Sequence, residues 1–201
     1  MSEHGRVLVL GLALVLLVTW AMVRGGPHKK YSTTAYWSES TAFQAEQVPA
    51  AALEPGNPDG PVLMWAAMVT DDPEVIRTLV ARGADPNESD TGDFSATPLS
   101  AAAGKNPNPE IVDTLIAVGA DIHKRVGSED KSALIIAAEL NPNPDVLHAL
   151  IRHGADLRYR DRTGRNAHDQ ALRFANAAAV KVLAPRPASG DREPVQSRPR
   201  G

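Results

Sequence analysis

The 201-residue sequence contains no cysteine. Disulfides, thiol nucleophiles and cysteine-based zinc sites are therefore excluded. Aromatic residues make up only 4% of the chain, which disfavours strand-rich folds because strands draw on aromatic and β-branched residues. An excess of positive charge is also lacking, since 21 basic and 24 acidic residues give a formal net charge of -3. Nucleic-acid binding is therefore not expected.

One long uncharged run lies near the N-terminus. Residues 7–23, VLVLGLALVLLVTWAMV, stand between Arg6 and Arg24. As a helix, these 17 residues are at the short end of what crosses a membrane, but they exceed the usual apolar region of a cleaved signal peptide. Because no Ala-x-Ala cleavage site follows, we predict a single-pass membrane anchor over residues 1–24. The alternative is a cleaved signal and a secreted or periplasmic protein. The flanking charges leave open which side of the membrane the rest of the chain occupies.

A repeat with a period of 35 to 36 residues follows. The triplet Gly-Ala-Asp occurs at residues 83–85, 119–121 and 154–156. Ahead of each triplet lies a helix-start signal, in which Asp or Asn caps the helix, proline takes the first helical position and an acid faces the positive helix end. These signals are Asp72-Pro73-Glu74, Asn108-Pro109-Glu110 and Asn143-Pro144-Asp145.

Each helix-start signal leads into a predicted helix with one apolar face. Apolar pairs recur one turn apart, for example at residues 75–76 and 79–80, which is the spacing of a buried stripe. The following glycine predicts the helix end, because a left-handed residue is favoured there. An earlier helix in each unit is indicated by an alanine pair that permits close helix packing. These pairs are Ala66-Ala67, Ala102-Ala103 and Ala137-Ala138.

The segment 96–102, ATPLSAA, followed by a capped second helix and by GADI at residues 119–122, resembles an ankyrin repeat. The resemblance implies an all-α ankyrin-repeat solenoid over residues 59–183, with three full repeats. It also implies a partial C-terminal capping repeat that begins at Asp161 and replaces apolar residues with His168-Asp169-Gln170. We predict that a single N-terminal transmembrane or signal helix precedes this domain.

Two features depart from the family pattern. The histidine position of the family's Thr-Pro-Leu-His tetrapeptide carries Met64, Ser100 and Ile135 in the full repeats, and only His168 matches it. The usual hydrogen bonding there must therefore be replaced. The turn between the helices is one residue longer and carries Asn-Pro-Asn-Pro at residues 106–109 and 141–144. This longer turn resembles that of bacterial ankyrin repeats, so we expect the anchor to lie in a bacterial inner membrane.

The flanking segments have a different composition. Residues 25–58 are rich in glycine, proline and polar residues, and predict a spacer in which Thr41 to Leu53 supply an N-terminal capping helix. Residues 184–201 contain four prolines and four arginines, and their only large apolar residue is Val195. We predict that this tail is disordered.

The resemblance implies a protein partner that is bound through loop tips and first helices. Residues 59–121 carry 11 acidic and 3 basic residues, whereas residues 122–183 carry 7 acidic and 10 basic residues. We therefore predict a charge-graded strip with aromatic anchors. Its candidate residues are Trp65, Glu88, Asp90, Asp93, Phe94, Lys124, Arg125, Tyr159, Arg160 and Arg162. The alternative is a solvated charged face, with Trp65 in the core.

Enzymatic activity is not predicted, because the sequence has no glycine-rich phosphate loop and no nucleophile at motif spacing from a histidine. His148 and His153 are five residues apart and point to different sides of a helix, so no metal site is expected. No cofactor and no small-molecule substrate are expected. Two functions stay open: an adaptor that holds a protein partner at the membrane through residues 7–23, and an inhibitor or immunity-type protein that occludes another protein's active site.

Overall fold

A computed structural model describes residues 29–57, 60–92 and 94–184. The predicted anchor over residues 7–23, the predicted site residue Asp93 and the tail after Ala184 lie outside the described residues. Within the described ranges, no helix has the length and apolar character needed to cross a membrane.

Consecutive pairs of short helices stack into two layers. The described residues form ten α-helices, which are α1 Thr34–Trp37, α2 Ala42–Glu46, α3 Val62–Val69, α4 Pro73–Ala81, α5 Pro98–Lys105, α6 Pro109–Ala117, α7 Ala133–Leu140, α8 Pro144–Arg152, α9 Ala167–Arg173 and α10 Ala177–Leu183. The odd-numbered first helices pack on one another, and so do the even-numbered second helices. Among the described residues, β-structure is limited to one antiparallel bridge between Val126 and Lys131. The predicted all-helical repeat architecture is confirmed.

The predicted helix starts and ends are present in each full repeat. The side chains of Asp72, Asn108 and Asn143 accept hydrogen bonds from the backbone N–H two residues later, at 2.9, 3.0 and 3.0 Å. Each second helix ends before a glycine with φ between +88° and +107°, a region that disfavours other residues. The three alanine pairs of the first helices are fully buried, so the helices approach closely.

The family's histidine position carries a capping group, Ser100 or Asp169, in two repeats and an apolar residue, Met64 or Ile135, in the other two. Thr97 and Ser100 form reciprocal bonds, with Thr97 N donating to Ser100 Oγ at 2.9 Å and Ser100 N donating to Thr97 Oγ1 at 3.2 Å. In the last repeat, Asn166 is the cap and Asp169 is the third helical residue. Asp169 therefore stands where Ser100 stands, and the match assigned to His168 is wrong by one residue.

The N-terminal segment differs from the predicted spacer, because most of it packs onto the first repeat. Helix α1 lies on α3, and α2 lies on α4. Trp37 is fully buried, and its indole N–H donates to the carbonyl of Tyr31 at 2.7 Å. Arg82, at the end of α4, donates to the carbonyl of Ala45 at 2.8 Å. This N-terminal unit (residues 29–57) covers the apolar end that the first repeat would otherwise expose.

The turns between the helices of a repeat carry a ladder of asparagines, of which Asn106 and Asn141 are buried and Asn176 is partly buried. Asn106 donates through Nδ2 to the carbonyls of Ala67 and Thr70, both at 2.9 Å, at the end of α3. Asn141 and Asn176 make the equivalent pairs of bonds to the preceding repeat at 2.8 to 3.1 Å. The asparagine ladder thus satisfies helix-end carbonyls that have no intrahelical partner and joins each repeat to the next.

Candidate functional site

Equivalent positions of the first helices alternate in size across the three full repeats. One row reads Trp65, Ala101, Ile136, and a second row reads Met68, Gly104, Glu139. The middle repeat contributes the small residue to both rows. A notch therefore forms over α5, with larger side chains of α3 and α7 on either side.

This notch is the floor of an apolar groove of about 390 Å³. Its roof comes from the finger loops that connect consecutive repeats, namely the first finger (residues 82–97) and the second finger (residues 118–132). The groove is lined chiefly by Met64, Trp65, Met68, Phe94, Ala101, Gly104, Val126, Ile136 and Leu140. Phe94 is 74% exposed and Leu140 is 47% exposed. Large apolar side chains that remain in water beside an apolar groove indicate a surface available for binding.

Gly104 determines how closely α5 and α7 approach. A Cβ atom at this position would lie 2.9 Å from Cγ2 of Ile136, a distance that Cβ atoms essentially never show. A side chain at position 104 would therefore push Ile136 aside or fill the notch. Glycine at position 104 therefore allows the side chain of Ile136 to pack closely against α5.

One end of the groove is charged. An adjoining cavity of about 350 Å³ shares Phe94 and Leu140 with the groove and continues to Glu129, Lys131 and Glu139. Lys131 Nζ lies 2.7 Å from Glu129 Oε2 and 2.8 Å from Glu139 Oε1. Burial raises the pKa of Glu139, although the bond from Lys131 opposes the rise. Burial lowers the pKa of Lys131, but the bonds to Glu129 and Glu139 outweigh it and the net shift is upward.

Three of the residues predicted to bind a partner, Trp65, Asp90 and Phe94, meet in the groove. Trp65 is half-buried, packs against the core and lines the groove. Asp90 closes the first finger, because its backbone N–H donates to the carbonyl of Ala96 at 2.9 Å and its Oδ1 accepts from Ala96 N at 2.9 Å. Asp90 therefore stabilises the conformation of the first finger, which carries Phe94.

Two further predicted residues pair with each other outside the groove. The guanidinium of Arg125 lies over the ring of Tyr159, 3.8 Å from its centroid. The Tyr159 hydroxyl donates to the carbonyl of Asp130 at 2.7 Å. Burial, followed by the bond with Asp130, raises the pKa of Tyr159. This stack joins the second finger to the third finger (residues 153–166). It also reduces the surface of both side chains that a partner could contact.

The remaining predicted residues mostly have partners within the chain. Arg160 forms an ion pair with Asp169 at 2.9 Å, and Lys124 donates to the carbonyl of Asn87 at 2.5 Å. Glu88 accepts a hydrogen bond from the backbone of Gly56 at 2.8 Å. Arg162 donates through its backbone to the carbonyl of Glu129 at 2.9 Å, and its side chain is exposed. The predicted charged strip is therefore used largely to connect neighbouring fingers.

Several groove residues were not identified from the sequence, namely Met64, Met68, Val126, Ile136 and Leu140. A signal for four of them was present. Helix α3 reads VLMWAAMV and α7 reads ALIIAAEL, so both are apolar around nearly their whole circumference. A helix of this kind has more apolar surface than one buried stripe requires, which indicates a second apolar contact.

Among the residues that the structure describes, no group of three or more histidine and carboxylate side chains is placed to hold a metal ion. His153 Nε2 lies 2.9 Å from Asp113 Oδ1, and His148 Nδ1 lies 3.6 Å from Asp145 Oδ1. His148 and His153 thus contact different carboxylates.

Comparison with known proteins agrees with this architecture. A family model described as ankyrin repeats matches the chain in three copies, over residues 63–161 and 101–193. A comparison with curated proteins gave no match.

Proposed function

The chain belongs to the ankyrin repeat family, and from this premise we propose that it is an adaptor that binds a partner protein in the apolar groove. Ankyrin repeats are generally modules for protein–protein interaction. The scaffold alone does not select a partner, so the proposal depends on the surface that this chain presents. No catalytic step is part of the proposal.

The exposure of Phe94 and Leu140 carries the proposal. These side chains are 74% and 47% exposed and stand at the opening of the groove. Burial of a large apolar side chain contributes about 1.5–3 kcal/mol. A partner that covers both residues would therefore gain binding free energy from surface that the fold leaves in water.

The predicted strip contributes at the border of the groove. Asp90 lines the groove, and Arg162 stands exposed on the third finger. An exposed charge such as that of Arg162 mainly steers association and orients a partner, whereas the half-buried Asp90 holds the first finger closed. We expect Glu88, Lys124, Arg125, Tyr159 and Arg160 to support binding indirectly, because their internal contacts hold the fingers in place.

We further propose that residues 7–23 hold the repeats at a membrane, as a single-pass anchor in a bacterial inner membrane. The support is the uncharged run of 17 residues and its lack of a signal cleavage site. Membrane fractions should contain protein with its original N-terminus. Recovery of a mature N-terminus near residue 22 would overturn the anchor.

Photo-crosslinking of the full chain in cell membranes tests the groove. A photo-crosslinking residue in place of Met68, which lines the groove and already carries a long side chain, should yield one discrete adduct with a partner protein. Phe94→Ser combined with Leu140→Ser should abolish that adduct. Phe43→Ser is the matched control, because Phe43 is 70% exposed on α2 and does not line the groove. An adduct that persists in the double variant would overturn the groove as the binding site.

A further inference from the structure

The charged end of the groove contains more acidic than basic side chains. Glu129, Lys131 and Glu139 meet there, so two carboxylates share one ammonium group. In the part of the chain that the structure describes, no cation other than Lys131 lies within 4 Å of a Glu139 oxygen. Arg173 occupies the position equivalent to Glu139 in the last repeat. Its guanidinium lies 5.3 Å from the centroid of the Phe174 ring.

Glu139 has unused capacity to accept hydrogen bonds. The residue is 9% exposed, and its side chain is 5% exposed. Lys131 Nζ donates to Oε2 at 3.0 Å. Oε1 lies 2.8 Å from the same nitrogen but, among the described residues, accepts no hydrogen bond of favourable geometry. Because buried carboxylate oxygens normally have such partners, Oε1 retains the capacity to accept a further hydrogen bond if the side chain turns toward a donor.

The position of Glu139 in its helix adds to the local negative potential. Glu139 is the penultimate residue of α7, where the negative end of the helix dipole disfavours an acid and favours a cation. The equivalent turn of α5 ends in Lys105, whereas α7 ends in Leu140. Glu129 and Asp161 also repel the Glu139 carboxylate. A cation supplied from outside would relieve this repulsion.

The rest of the groove is mainly apolar, although Asp90 and Lys105 also line it. Met64, Trp65 and Met68 line its far end, and the notch over Gly104 lies between this end and the carboxylates. Phe94 and Leu140 border both cavities. The groove thus presents an apolar pocket followed by an acidic end, and flexible methionine side chains allow the pocket to adapt to an apolar group.

We propose that the groove binds a peptide segment of a partner protein that combines a large apolar side chain with a lysine or arginine. The apolar side chain fills the notch over Gly104, and the cation binds Glu129 and Glu139. The methylene stem of the basic side chain packs along Phe94 and Leu140. This inference depends on the proposed groove function and specifies the chemistry of its partner.

Selection of displayed random short peptides on the purified full chain tests the inference. Enriched peptides should pair a large apolar residue with lysine or arginine. Replacement of that basic residue by glutamine in a selected peptide should weaken binding by about tenfold or more, as expected for a charge-assisted contact. Selection on the Glu129→Lys variant should shift the preference from basic toward acidic peptides.

Two further variants separate charge recognition from folding. Glu54→Lys makes the same charge change at an exposed site outside the groove and should leave the basic preference intact. Glu139→Gln should weaken the binding of a selected basic peptide, while the glutamine version of that peptide should bind both proteins similarly. Far-UV circular dichroism should show that each variant remains folded.

The outcomes distinguish the inference from the groove function. Peptides without basic residues, or a preference that Glu129→Lys does not change, would overturn the cation contact. If those peptides bind the double variant Phe94→Ser with Leu140→Ser more weakly than they bind the unsubstituted protein, the proposed groove function stands. Peptides that bind this double variant equally well, or a selection that enriches no peptide above an Ala101→Trp protein with a filled groove, would overturn both.

Discussion

At the residue scale, single asparagine side chains connect neighbouring repeats through hydrogen bonds. Asn106 and Asn141 are essentially fully buried, and each bonds two carbonyls of the preceding repeat. Both also accept a backbone N–H two residues later at 2.9 Å. No other side chain of similar size offers two donors and an acceptor in this arrangement. Sequence inspection showed the asparagines, but only as part of a longer turn.

We predict that Asn106→Ala lowers the free energy of unfolding by about 2–4 kcal/mol, because it leaves two buried carbonyls and one N–H without partners. Asn176→Ala should cost less, since Asn176 is only partly buried and lies beside the last helix. Urea unfolding followed by circular dichroism measures both values. Equal losses for the two variants would contradict the importance of burial.

Asp161 provides a second test at the residue scale. Burial by itself raises the pKa of Asp161, but hydrogen bonds from Thr163, Gln170 and Arg165 outweigh burial and hold the pKa below its ordinary value. The folded state therefore favours the ionised carboxylate. Its stabilising contribution is present above pH ~4 and is lost as the pH falls through the folded-state pKa.

Asp161→Asn should accordingly reduce stability by about 1–3 kcal/mol at pH 7, as expected for hydrogen bonds to a charged group. The difference from the unsubstituted protein should shrink below pH ~4. Thermal unfolding across this pH range measures the effect. Asp71→Asn, at an exposed position, controls for the loss of one negative charge. A stability difference that does not change with pH would contradict the role of the Asp161 charge.

At the scale of elements, the contact between α5 and α7 shapes the groove. A glycine inside a helix costs about 1 kcal/mol relative to alanine, and Gly104 lies in the last turn of α5. The close approach of Ile136 explains why glycine is compatible with this packing. The small residues at positions 101 and 104 thus shape the groove, and Gly104 does so at some expense in helix stability.

Gly104→Ala should therefore destabilise the protein by about 1 kcal/mol or more, despite the higher helix propensity of alanine, because overpacking outweighs that gain. In an Ile136→Ala background, the same change should become neutral or stabilising. A double-mutant cycle in urea measures this coupling. Additive effects would show that Ile136 does not limit the packing.

At the scale of the whole molecule, the repeats that the structure describes pack chiefly on their neighbours, so an apolar face at each end of the array must be covered. The N-terminal unit supplies that cover at the first repeat through Tyr31, Trp37 and Val48, all buried. Loss of this unit would expose the apolar first repeat directly. The more distant repeats would be destabilised only indirectly, through the successive interfaces between repeats.

Trp37→Ala should therefore destabilise the first repeat by about 3–5 kcal/mol, the usual cost of a buried aromatic side chain. Hydrogen exchange should show faster exchange in α3 and α4, with α7 and α8 little affected. Trp37→Phe keeps an aromatic ring and should have a smaller effect. Uniformly faster exchange in all repeats would contradict nearest-neighbour stability.

Much of the fold was accessible from the sequence because its signals are local. The caps at Asp72, Asn108 and Asn143 and the glycine stops depend on residues within one helical turn. The candidate site was less accessible. Trp65 and Phe94 stood out as aromatic residues, but Ile136 and Leu140 are ordinary apolar residues that become notable only beside the notch in the middle repeat.

The amino-acid sequence by itself thus determined the period, the helix boundaries and the apolar stripes, since each follows from backbone capping and 3.6-residue periodicity. Tertiary structure alone decided which charges are engaged within the chain, as in the Arg125–Tyr159 stack, and where apolar surface stays uncovered. These features depend on residues about one repeat apart coming within a few ångströms. Stacking creates that proximity, and no local pattern in the sequence encodes it.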